Sequence, residues 1–223
     1  MRSNVYLIKV SKNESEALFE EINTIPFFWF ALMNTKVIKK LAEEILRLFK
    51  KSKTKILSNS NTNIRVTKDF FLGNARERVG FFRDFFPQYL GIYNDFVGYL
   101  DAVFRDDDIL ELNIIEVTSF NETVKSIGEI RDVVRSIQLR DDPGCYHDLF
   151  GEGGGPFSLV GYDRFYRNEF RNFSAEYGAA VEKAGEELRE REKAAKKREI
   201  VDKLKNFFRL NPDISDNDKK PQG

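Results

Sequence analysis

The sequence predicts an α+β fold that is mainly helical, with a small two- or three-stranded sheet and a long charged C-terminal helix. Three observations support this prediction. Apolar residues recur at helical spacing over most of the 223 residues. Two stretches, Asn4 to Val10 and Ile109 to Val117, instead alternate as strands do. Residues 182–199 are almost wholly Glu, Lys, Arg and Ala, a composition typical of a solvent-exposed helix.

Composition and charge limit the functional classes. A hydrophobic content of 41% is enough to bury a sizeable core. Lys and Arg total 36 and so do Asp and Glu, so no net charge favours a nucleic-acid partner. One cysteine excludes an internal disulfide, and the sequence has neither a signal peptide nor an apolar run long enough to cross a membrane. We therefore expect a soluble cytoplasmic protein with no transmembrane segment.

The N-terminal quarter begins with the Asn4 to Val10 strand. Ser11 and Glu14 resemble a capping box, which predicts a short helix that ends near Asn23. Residues Ile25 to Met33 carry no charge and no amide side chain, and this stretch contains the only tryptophan, Trp29. Because the stretch is apolar on every face, we expect it to be buried on all sides.

The next elements follow from periodicity. An amphipathic helix from Val37 to Phe49, capped by Asn34-Thr35, precedes a polar loop over Ser52 to Asn63. Two helices then meet at Pro87, and the Ile109 to Val117 strand is expected to pair with the N-terminal strand. The sequence further predicts a solvated turn at 106–108, a helix from Val124 to near Arg140, a third strand over Phe157 to Tyr162 and a helix from Asp163 to Phe173. We expect a globular domain over 1–175, the charged helix over 176–210 and a disordered tail over 211–223.

Part of this pattern carries a resemblance. The strand NVYLIKV is followed by Ile25-Pro26-Phe27 and then Leu32-Met33, and the later stretch LNIIEV spans Leu112 to Val117. This series resembles a group of uncharacterised bacterial proteins that open with an aromatic strand and continue with an Ile-Pro-aromatic segment. The resemblance implies a bacterial cytosolic protein. It carries over no catalytic residue and implies no activity.

Cys145 and His147 are the only cysteine and histidine, and they stand beside Asp148 in an irregular glycine-rich region. A thiol next to a base could serve a small hydrolase or transferase. Residues two apart on a loop rarely reach a productive geometry, so we expect no catalytic role. Zinc would need further ligands that the sequence does not offer at recognisable spacing. We therefore predict no metal, no cofactor and, on balance, no enzymatic activity.

Two other features could bind ligands. The run 151–155 lacks the residues of a phosphate-binding loop, which favours a flexible hinge. Tyr162, Arg164 and Tyr166 could clamp a planar ligand in an aromatic pocket, although rings at helical spacing more often belong to a core. Small-ligand binding stays open as an alternative.

The C-terminal helix carries the main functional prediction. Ile200, Leu204, Phe207 and Phe208 fall at i, i+4, i+7 and i+8, which forms an apolar stripe. This stripe predicts contact with a protein partner or self-association, as in a coiled coil, and favours a non-catalytic module of the accessory or toxin-neutralising type. Two alternatives remain open: the helix folds back onto its own domain, or its flanking Lys and Arg residues bind an anionic surface.

Overall fold

The computed structural model describes residues 4–50, 62–118, 123–141, 155–163 and 169–210. The chain separates into two compact units, residues 1–178 and 179–223. The fold is α+β and mainly helical, as the sequence predicts. Within the described ranges the sheet has five strands, where the sequence predicts two or three.

The sheet lies in the first unit and is antiparallel at every described pairing. Its strands are β1 (Asn4–Val10), β2 (Ser15–Ile22), β3 (Ile64–Thr67), β4 (Ile109–Asn113) and β5 (Tyr162–Asp163). Their order across the sheet is β3-β4-β1-β2-β5. The predicted pairing of β1 with β4 is confirmed, with Leu7 opposite Leu112. Both residues are fully buried, which places them on the face of the sheet that contributes to the core.

Nine α-helices are described. In chain order they are α1 (Phe27–Ala31), α2 (Thr35–Phe49), α3 (Lys68–Phe85), α4 (Leu90–Val103), α5 (Ile115–Thr118), α6 (Thr123–Leu139), α7 (Pro156–Val160), α8 (Glu169–Phe173) and α9 (Ala175–Leu210). The predicted break at Pro87 is confirmed by a 3₁₀ turn, Pro87–Tyr89, between α3 and α4. The predicted cap of α2 is also confirmed, because Asn34 Oδ1 accepts hydrogen bonds from two backbone N–H groups, each at 3.1 Å.

The apolar stretch Ile25 to Met33 is buried, as its composition predicts. Apart from Pro26, its residues are at most 6% exposed. Trp29 is fully buried, and its indole Nε1–H donates to the Val160 carbonyl oxygen at 2.8 Å. Phe28 meets Phe82 and Tyr93 edge-on, with ring centroids 5.2 and 5.0 Å apart. The segment therefore joins α3, α4 and α7 into one aromatic core.

The predicted helix after Ser11 is wrong, because Ser15 to Ile22 forms strand β2. The Ser11 hydroxyl does not cap a helix but donates to Asp108 Oδ1 at 2.6 Å. Pairing along β1 then satisfies the backbone of β2 and buries Phe19 completely opposite Leu7. The spacing of Ala17, Leu18 and Ile22 fits a helix as well as a strand, and this burial and cross-strand pairing decide for the strand.

Three further predictions need correction. Of the strand predicted over Phe157 to Tyr162, only Tyr162 lies in a strand, β5; residues 156–160 form helix α7, since Pro156 occupies its first turn and Gly161 ends it at φ +91°. The strand predicted to reach Val117 ends at Asn113 and is followed by α5. The turn at 106–108 is only partly solvated, because Asp108 is 2% exposed. Of the helix predicted over 163–173, residues 164–168 lie outside the described part.

Candidate interaction surface

The described part of the second unit belongs to helix α9. Every residue from Glu186 to Lys203 is exposed. Ile200 is 58% exposed and Val201 is 39% exposed, so both apolar side chains face solvent. Leu204, Phe207 and Phe208 lie within the helix, but their side chains fall outside the described residues.

The register of α9 brings the predicted stripe together. At about 100° per residue, the four predicted positions 200, 204, 207 and 208 span an arc of about 100° around the helix axis, and Val201 widens it to about 120°. We call this arc the C-terminal stripe. Leu188 is as exposed as Ile200, at 58%, but precedes it by 12 positions and therefore points about 120° away from it.

Charge is distributed unevenly around and along α9. Residues 193–209 contain seven Lys or Arg residues but only two acids, Glu199 and Asp202. Both acids occupy positions at least about 80° outside the C-terminal stripe. The described ion pairs are local, such as Lys203 Nζ to Glu199 Oε1 at 2.7 Å. By these angles Lys196, Lys203 and Lys205 border the stripe, whereas the two acids lie on the opposite side of the helix together with Arg198 and Arg209.

No family model, curated protein or solved structure matches this chain. Among the described residues, no helix is both long enough and apolar enough to cross a membrane. The described residues also contain no group of three or more His, Cys, Asp or Glu side chains arranged to hold a metal ion.

The residues behind the enzyme alternative are not in the described part of the chain. Cys145, His147 and Asp148 lie within 142–154, which the structure does not describe. The expectation that Cys145 has no catalytic role therefore stays a prediction.

The structure describes only one of the three residues on which the aromatic-pocket alternative depends. Arg164 and Tyr166 fall within 164–168, outside the described residues. Tyr162 is 46% exposed and stacks on Phe157, with ring centroids 4.5 Å apart. Tyr162 is therefore partly packed and partly accessible to solvent.

Sequence reasoning missed a polar network beside Tyr162 that links β5 to α9. The Tyr177 hydroxyl donates to the Gly161 carbonyl oxygen at 2.7 Å and accepts from the Asp163 N–H at 2.8 Å. Burial raises the pKa of Tyr177 far above its ordinary value, so this hydroxyl stays protonated. It is suited to hold the β5 backbone and is unsuited to act as a nucleophile. Nothing in the sequence around Tyr177 indicates this network.

Two carboxyl groups lie next to the same network. Burial raises the pKa of Glu21 and of Asp163, partly offset by backbone hydrogen bonds from Ile22 and Arg171. Each hydrogen bond fixes the orientation of its carboxylate. The positions of Glu21 and Asp163 are therefore explained by the local packing of β2, β5 and α8.

Proposed function

We propose that this protein is a non-catalytic interaction module, of the accessory or toxin-neutralising type, that binds a protein partner or a second copy through the C-terminal stripe. The single observation that supports this proposal is that the apolar side chains of Ile200 and Val201 are exposed on the helix arc that also carries the apolar positions 204, 207 and 208. Large exposed apolar patches are rare on monomeric soluble proteins and mark interaction sites, and Ile200 and Val201 would form such a patch together with the apolar residues of the next two turns.

The spacing of the stripe indicates how a partner would contact it. Positions separated by three and four residues form one face of a helix, which can insert into a hydrophobic groove or pair with another helix as in a coiled coil. Phe207 and Phe208 would supply the largest apolar area and serve as anchors. We place this module in the bacterial cytoplasm, because its N-terminal segments resemble those of uncharacterised bacterial proteins.

The charge distribution favours a second candidate, binding to an anionic membrane surface. An interfacial helix buries its apolar face while its cations contact lipid headgroups. Acids near the apolar face would oppose this, but Glu199 and Asp202 lie on the other side of α9. Lys196, Lys203 and Lys205 border the stripe at positions suited to the headgroups, although Lys203 also pairs with Glu199.

A matched pair of variants tests the stripe. Ile200→Asp introduces a charge inside it, and Leu188→Asp introduces the same charge at an equally exposed position on another face of α9. Since both sites are exposed, each variant should keep the free energy of unfolding within about 0.5 kcal/mol of the parent. We expect Ile200→Asp alone to abolish self-association, measured by light scattering over a range of protein concentrations, or binding of a host protein.

The same proteins distinguish the two candidates when they are sedimented with vesicles. Binding of the parent to vesicles containing phosphatidylserine, but not to pure phosphatidylcholine, would support the membrane candidate, particularly if salt weakens it. Equal behaviour of the two variants would contradict a role for the stripe. A parent that stays monomeric, binds no host protein and ignores both kinds of vesicle would refute the proposed function.

A further inference from the structure

A groove of about 430 Å³ lies between helix α2 and strand β3 in the first unit. Its volume falls within the range of about 300–1,000 Å³ that is usual for small-molecule sites. Val37, Leu41 and Ile64 contribute its apolar lining. Leu41 is 5% exposed and Ile64 is 3% exposed, so this apolar lining is continuous with the core.

Three cationic side chains line the groove, two from α2 and one from β3. Two of them already form ion pairs with carboxylates. Arg47 forms a bidentate pair with Glu44, with distances of 2.8 and 2.5 Å. Arg65 Nε lies 3.2 Å from Glu111 Oε2, and the other oxygen of Glu111 accepts from Asn63 Nδ2 at 2.8 Å. These contacts fix both guanidinium groups and leave each with further N–H donors.

Lys40 supplies the third cation. In the part of the chain that the structure describes, its ammonium group has no carboxylate partner. Its neighbour Lys39 turns away from the groove and lies 3.9 Å from Glu43 Oε1. Among the described residues, Arg47 pairs with Glu44 and Arg65 with Glu111, so Lys40 adds to the groove one positive charge that has no carboxylate partner there.

We propose that this groove binds a small amphipathic carboxylate. The carboxylate would pair with Lys40 and accept hydrogen bonds from the free N–H groups of Arg47 or Arg65, since charge-assisted hydrogen bonds of this kind are strong. The apolar part of the ligand would cover Val37, Leu41 and Ile64. A single surplus charge matches a monoanion. This site does not depend on the C-terminal stripe and goes beyond the proposed interaction function.

Octanoate is the probe, added to the full-length chain below its micelle threshold while amide chemical shifts are followed by NMR. We expect saturable shifts confined to α2, β3 and the residues next to them. Affinity should rise from butanoate to octanoate by up to about fourfold for each methylene that becomes buried. Octanol should bind at least about fivefold more weakly than octanoate, because it cannot pair with Lys40.

Lys40→Ala is the decisive variant and Lys39→Ala is its control, because each removes one exposed cation from the same turn of α2. We expect Lys40→Ala to weaken octanoate about five- to tenfold and Lys39→Ala to leave its affinity within about twofold. Thermal unfolding of both variants checks that they fold as the parent does. Equal affinities of the two variants, equal binding of octanol, or the absence of shifts in α2 and β3 would each overturn the proposal.

Discussion

Replacement of Trp29 tests the central claim about the core. Its side chain is fully buried and makes a 2.8 Å hydrogen bond to the Val160 carbonyl oxygen. Trp29→Ala would lose the transfer free energy of the ring and leave a cavity, at a cost of about 3–5 kcal/mol in the free energy of unfolding. Trp29→Phe would keep much of the ring but leave the carbonyl without its donor, at a cost of about 1–3 kcal/mol.

Urea denaturation followed by far-ultraviolet circular dichroism measures both losses. Fluorescence is unsuitable because each variant removes the only tryptophan. Leu139→Ala is the control: its side chain is 58% exposed, so it should cost less than about 0.5 kcal/mol. If Trp29→Ala cost less than about 1 kcal/mol, or no more than Leu139→Ala, Ile25 to Met33 would not be the centre of the core.

Two further predictions concern positions that only the fold explains. Gly161→Ala should cost about 1–3 kcal/mol in the same assay, because φ is +91° there and a Cβ would lie 3.0 Å from the Glu20 carbonyl oxygen; an unchanged urea midpoint would contradict this geometry. Asp108→Asn should cost about 1.5–3 kcal/mol at neutral pH. Burial alone would raise the pKa of Asp108, but hydrogen bonds from Ser11 and the Arg105 N–H, together with the Lys9 ammonium at 3.5 Å, lower it below its ordinary value. Its contribution is thus present above the unfolded pKa of about 3.9 and is lost as the pH falls through the folded pKa. The difference in urea midpoint between the parent and Asp108→Asn should therefore narrow in acid. A difference that widened would contradict a lowered pKa of Asp108 in the folded state.

Elements with one dominant local signal were predictable. Residues close together in the chain account for the apolar face of α2 and its Asn34 cap, for the break at Pro87, and for the burial of Ile25 to Met33. Strand β2 was not predictable in this way, because Ala17, Leu18 and Ile22 fit a helix and its pairing with β1 is visible only in the fold. Of the candidate site, the sequence placed the C-terminal stripe on one helical face. Lys40 and Arg47 lie on the predicted helix Val37 to Phe49, but the sequence alone could not place Arg65 beside them.

The sequence by itself determined that Ile25 to Met33 must be buried, that Asn34 caps α2 and that α3 and α4 are separated at Pro87, since apolar composition, caps and proline act within a few residues. Tertiary structure alone decided the contacts between distant residues. Asp108 becomes a buried partner of Ser11 across 97 positions, and Trp29 meets Val160 across 131. The physical reason is that a buried polar group must find a hydrogen-bond partner, and packing decides which distant residue supplies it.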